Sequence, residues 1–243
     1  MDVIRRLPLP FQNNVMKVLT AMSLALAASL APACMAAPLY SVQFDAKPGT
    51  DALNWMASKG FKAQKDAGDA DTMALAFSGS ALTLEAKSSA FGFLINDGLN
   101  LRKAKTIRIV WGVTRYPQGA SWKNGVNREP LMVYVFFGTK KLSSDSFFIP
   151  NSPYFLGLFL GQDENINATC VGKHFTTGGR YVCLASPKPG ETVTSEFNLD
   201  QGFRNCFGLS AVPPVTGLSV EQDTSSTSPG TCIAFIKSIQ ILP

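Results

Sequence analysis

Short apolar runs alternate with turn-forming residues from residue 40 onward, and this rhythm predicts strands rather than long helices. Runs rich in Val, Ile, Leu, Phe and Tyr fall at 40–44, 73–77, 82–86, 91–96, 106–113 and 131–138. Others follow at 154–161, 181–186, 192–198, 215–221 and 232–242, with Gly, Pro, Asn and Ser as punctuation. In 106–113 (TIRIVWGV), Ile107, Ile109, Trp111 and Val113 share one face, because successive side chains of a strand point to opposite sides. The stretch 232–241 (CIAFIKSIQI) alternates less cleanly, which predicts a register break or bulge. Residues 131–137 (LMVYVFF) and 154–160 (YFLGLFL) are apolar on both faces and read as central strands covered on each side. Two short helices are predicted. The first covers 50–59, with Thr50 as N-cap and Gly60 past its end; the second covers 198–207, with Asn198 as cap and Gly208 beyond. The expected fold is an all-β, jelly-roll-like sandwich with one or two short helices.

The N-terminus changes the picture, because it sets the compartment. Arg5, Arg6 and Lys17 precede the apolar run VLTAMSLALAASLA (18–31) and the small-residue stretch ACMAAP (33–38), the pattern of a secretory signal. Residues 1–36 are therefore expected to be the signal and 37–243 a single β-sandwich domain, periplasmic or secreted. The run is short for a membrane span, which needs about 20 apolar residues. Cys34 raises lipoprotein anchoring as a rival, but Ala31 stands where the lipobox has Leu, and ordinary cleavage is the expectation. Of the formal net charge of +5, the signal's three cations against Asp2 account for two, leaving about +3. That is too weak to argue for nucleic acid. Four cysteines remain beyond the signal, and an exported chain is expected to pair them as Cys170–Cys183 and Cys206–Cys232.

Candidate chemistry is sparse. His174 is the lone histidine, so multi-histidine metal sites are excluded, and it reads as an exposed loop residue beside Lys173. No G-x-S-x-G nucleophile turn and no phosphate-binding glycine loop occurs. No cofactor or metal is expected. Glu129, Asp145, Asp163, Glu164, Glu191, Glu196, Asp200, Glu221 and Asp223 are available for paired-carboxylate hydrolysis, but sequence spacing does not show which of them converge. Aromatic side chains offer binding without chemistry, since the C–H faces of sugar rings stack on Trp and Tyr. Trp122 is the leading candidate, lying among polar residues between two core strands. Arg115, Tyr116, Asn127, Arg128 and Glu129 surround it in sequence, while Trp55 and Trp111 read as core. The competing reading of Trp122 is a ring folded back over the sandwich edge.

The order of the runs ALTLEAKSSAFGFLIN (81–96), IRIVWGV (107–113), LMVYVFFG (131–138) and FGLSAVPPVTGLSVEQDTSSTSPGTCIAFIKSIQIL (207–242) resembles the bacterial domain-of-unknown-function family 3047. The resemblance implies the fold and the exported compartment and brings no established activity. Two departures stand out. Trp-Arg-Trp of the family corresponds here to Ile109-Val110-Trp111, and an Asp-Asp pair with an Arg corresponds to the Asn127-Arg128-Glu129 region. The Asp-Thr-x-x-Thr loop is kept at Asp223 to Thr227, where it could simply cap a turn. The closing pattern also looks like carbohydrate-binding jelly rolls, although Lys237 stands where many of those carry a calcium-binding Asp. The expected function is that of a non-catalytic binding module of the cell envelope, its ligand a glycan or another envelope polymer. The alternatives are a periplasmic carboxylate-dependent glycoside hydrolase, signalled by convergent acids, and a structural partner of envelope proteins.

Overall fold

A computed structural model describes residues 36–243; the expected signal and Cys34 lie outside the described residues. The chain runs through β1 (Tyr40–Gln43), α1 (Ala52–Ser58), β2 (Lys62–Lys65), β3 (Met73–Ser78), β4 (Ala81–Ala86) and β5 (Phe91–Asn96). Next come β6 (Thr106–Arg115), β7 (Glu129–Leu142), β8 (Ser152–Leu160), β9 (Thr169–Cys170) and β10 (Gly179–Ala185). The last elements are β11 (Thr192–Asn198), α2 (Leu199–Phe207), β12 (Val215–Asp223) and β13 (Cys232–Leu242). Two sheets form the sandwich. The six-stranded sheet has the order β11-β6-β13-β4-β3, with β1 also on β13, and the seven-stranded sheet has the order β2-β5-β12-β7-β8-β10-β9.

The core lies between them. Ile107, Ile109, Trp111 and Val113 of β6 are fully buried on one face, as the alternation requires, and the Trp111 indole donates to Ser195 Oγ at 3.0 Å. Leu131, Val133 and Val135 of β7 and Leu156, Leu158 and Leu160 of β8 meet them from the other sheet. The register of β13 against β6 shifts between Ile236 and Ser238, the break that its imperfect alternation predicts. β7 and β8 are central and neighbouring. Their second apolar face packs on a separate cluster built on Met132, Phe159 and Cys183.

Both helices form. Asn198 caps α2 by accepting from the Gln201 amide at 2.8 Å, and Gly208 ends it at φ +68°. α1 is capped by Asp51 rather than Thr50, since the Asp51 carboxylate reaches the Asn54 amide at 2.9 Å. β2 and β9 went unread in sequence because their polar or two-residue segments carry no alternation. The expected disulfides are not formed, and all four described cysteines are free. Cys206 sits on α2 near Thr169, whereas Cys232 is buried in the core with Gln222 Nε2 at 3.4 Å from its sulfur, so the two have different surroundings. Cys170 is paired with Tyr181, which makes Cys183 its diagonal neighbour on the same face. Diagonal neighbours stand roughly 7–8 Å apart, beyond the reach of a disulfide without backbone movement.

Candidate functional site

The outward face of the seven-stranded sheet is built by register. Ser219, Tyr134, Gly157 and Tyr181 form one cross-strand row through β12, β7, β8 and β10. Glu221, Met132, Phe159 and Cys183 form the next. A Cβ on Gly157 would stand 2.6 Å from Met132 Sδ and 2.8 Å from Tyr181 Cδ1, so only glycine lets those side chains close over β8. The rings make one connected run. Trp122 stacks on Phe159 (centroids 5.2 Å apart) and leans on Tyr181 at 4.7 Å, and Tyr181 meets Phe155 edge-on at 5.6 Å. Phe155 continues the run to Tyr134 at 5.3 Å and to Phe175 at 5.3 Å.

Acids gather at one end of this run. Strict alternation would turn Glu129 towards the core with Leu131. Between Glu221 and Asp223, however, the pairing slips: two steps along β12 answer three along β7, from Met132 back to Glu129. This bulge, which holds Pro130, brings Glu129 to the side of Glu221. The carboxyls of Glu129 and Glu221 lie within hydrogen-bonding reach of each other, and both residues are buried. The Trp122 indole N–H donates to Glu129 Oε2 at 3.3 Å, and the Tyr134 hydroxyl donates to Glu221 Oε1 at 2.9 Å. Burial, and then the neighbouring acids, hold Glu129 well above the usual carboxylate range, while burial and Asp223 push Glu221 up to about 8. The pair therefore keeps a proton at neutral pH. Burial also raises the Tyr134 and Tyr181 phenols. Arg128 Nε stands 3.2 Å from Asp223 Oδ1, and its Nη2 donates to Ser226 Oγ at 2.7 Å. Ser219 is 2% exposed, and its hydroxyl oxygen has no partner among the described residues.

Of the candidates around Trp122, the structure brings Glu129 to it, places Arg128 on Asp223 beside the acid pair, and leaves Arg115 and Tyr116 elsewhere. Arg115 faces Glu85 of the six-stranded sheet at 3.7 Å, and the half-buried Tyr116 donates to Pro187 O at 2.7 Å. Trp122 itself is half-buried and folds over the sheet, its backbone N–H on Glu164 Oε1 at 3.0 Å. Beside it opens a cavity of about 200 Å³, lined by Phe159, Glu164, Cys170 and Cys183 among others. The kept Asp-Thr-x-x-Thr loop does cap its own turn, with Asp223 accepting from the Ser225 amide at 2.9 Å, and it also holds Arg128. Four of the remaining acids are spent separately: Asp145 on Thr176, Glu191 on the Lys188 amide, Glu196 on Arg108 and Asp200 on Arg204. His174 is half-buried rather than exposed, and Trp55 is half-buried against Phe77 at 4.9 Å. No group of three His, Cys, Asp or Glu side chains among the described residues is placed to hold a metal ion. Sequence reading missed Tyr134, Phe155 and Tyr181; the outward positions of LMVYVFF and the glycine inside YFLGLFL were the available signals.

No family model and no curated protein matches the chain. Among solved structures, it is similar to an alanine mutant of a family 29 carbohydrate binding module, at 11% identity over 83% of this chain and 89% of that one, with a TM-score of 0.36. It is also similar to the K2 cleaved adhesin domain of Lys-gingipain, at 11% identity over 84% and 99%, with a TM-score of 0.36. A third likeness is to the xyloglucanase domain of NopAA from Sinorhizobium fredii, solved in complex with cellobiose, at 8% identity over 85% and 100%, with a TM-score of 0.40.

Proposed function

We propose that this β-sandwich binds a glycan on the outward face of its seven-stranded sheet. The observation that carries the reading is the run of rings from Trp122 to Phe175 with an acid cluster at its Trp122 end. The half-buried rings of Trp122, Tyr134 and Tyr181 suit the apolar faces of sugars, and the Arg128 guanidinium with Asp223 beside it suits their hydroxyls.

The second reading, a carboxylate-dependent glycoside hydrolase, is favoured by the convergence of Glu129 and Glu221 and by their raised pKa values. Its geometry fits less well. Hydrolysis places the two carboxyls about 5–10 Å apart across the sugar, whereas this pair is in mutual hydrogen-bonding reach. Export to the periplasm or beyond is part of the same proposal, supported by the pattern of residues 1–36, as is membership of the domain-of-unknown-function family 3047, supported by the four quoted segments.

The test is a glycan and cell-wall polymer array probed with the full chain, with reducing-end release followed in the same wells. Binding without release is expected. Release would move the function to the acid pair, and silence in both channels would reject the glycan reading.

A further inference from the structure

Phe147 and Phe148 are 98% and 92% exposed at the tip of the loop between β7 and β8. Two adjacent large apolar side chains standing almost wholly in water call for a reason. Their loop is well tied down. Ser144 is fully buried, with its hydroxyl within 2.9 Å of Ser146 O and 2.5 Å of Ile149 O, and its amide reaches Asn151 Oδ1 at 3.2 Å. The Asp145 carboxylate accepts from the Thr176 amide at 2.6 Å and from the Thr176 hydroxyl at 2.7 Å. The Phe175 amide donates to Ser144 O at 3.1 Å, so a second loop buttresses the first. The two rings, edge to face at 5.7 Å, are thus held outward by a hydrogen-bonded stem.

The charge around them has one sign. Lys140 and Lys141 are exposed where β7 runs into the loop, and Lys173 is exposed on the buttressing loop. Residues 140–151 and 171–180 hold one acid, Asp145, whose carboxylate is engaged by Thr176. Two rings on a convex tip are far too little surface for a stable protein interface, which takes roughly 800 Å² from each partner. They are enough to enter the interfacial layer of a membrane, where aromatic side chains settle and lysines meet anionic headgroups.

We propose that the Phe147–Phe148 tip, with Lys140, Lys141 and Lys173, docks the protein on an anionic lipid surface. The surface is separate from the acid cluster, and its occupancy does not depend on the glycan reading.

The experiment is co-sedimentation of the full chain with vesicles of phosphatidylcholine alone or mixed with phosphatidylglycerol, comparing wild type with a Phe147→Ser/Phe148→Ser double variant. The N-terminal segment is common to both proteins and cancels in the comparison. The double variant is expected to lose roughly tenfold or more in partitioning to anionic vesicles. In a Phe148→Trp variant, the emission in excess of wild type, whose Trp55, Trp111 and Trp122 supply the background, is expected to shift to the blue and to be quenched by brominated lipid. Lys140→Glu/Lys141→Glu is expected to abolish the preference for the anionic mixture. Equal partitioning of wild type and double variant, or an unquenched Phe148→Trp signal, overturns the proposal. Loop-dependent self-association in sedimentation velocity without vesicle binding would overturn it in favour of a protein contact.

Discussion

Glu129 and Glu221 occupy sites where a carboxylate is costly, and the cost has a pH signature. A carboxyl whose folded-state pKa is raised contributes stability that is complete below its unfolded value and is lost as pH rises through the folded one. For Glu221 the window runs from about 4.5 to about 8, and Glu129 and Asp223 act in the same direction. Asp69, Asp145 and Asp200 are lowered from 3.8, so their opposing effects fall below this window. The urea midpoint of the wild type should therefore decline between pH 5 and pH 8, and Glu221→Gln should flatten the decline; a wild-type midpoint independent of pH there would show that the pair is not buried as described. Trp122 acts at the same scale. Its indole bridges the ring run and Glu129, so Trp122→Ala should weaken glycan binding at least about tenfold in calorimetric titration. An unchanged affinity would take Trp122 out of the site.

At the scale of elements, β7, β8, β10 and β12 divide the work between their two faces. Gly157 is the point at which outward packing depends on the backbone of β8. Gly157→Ala should cost about 1–3 kcal/mol in urea unfolding and should weaken binding by displacing Tyr181 or Met132. α2 depends on its cap, and Asn198→Ala should cost about 1 kcal/mol without touching the outward ring face. Features with a local signal were legible from sequence: β6 from its alternation, the break in β13 from its lapse, the central placement of β7 and β8 from two apolar faces, and the cap of α2 from Asn198. The acid pair was legible only as a set of candidates. Period-two counting sends Glu129 into the core, and the slip of β7 against β12 at Pro130 reverses that. A bulge between strands some ninety residues apart in sequence leaves no mark in either strand's own pattern. Arg115 and Tyr116, adjacent to the site in sequence, diverge because β6 carries Arg115 to the other sheet.

For the whole molecule, the proposed glycan reading assigns stability to the shared core and recognition to the outward face of one sheet. The six-stranded sheet gives its inner face to the core, with Trp111 fully buried at its centre. The seven-stranded sheet contributes its inner face to the same core and turns rings, acids and Arg128 outward. The four free thiols mean that the sandwich is held by apolar burial and strand pairing without covalent ties. Reducing agent should therefore leave its thermal midpoint unchanged, and a fall on reduction would show that bridges form. The most direct measurement of the proposed glycan face is amide hydrogen exchange of the full chain with and without the polymer that the array identifies. Slower exchange confined to the Trp122 loop, β7, β8, β10 and β12 is the expected result. Protection on the six-stranded sheet instead, or none under saturating polymer, would contradict the assignment of the site to this face.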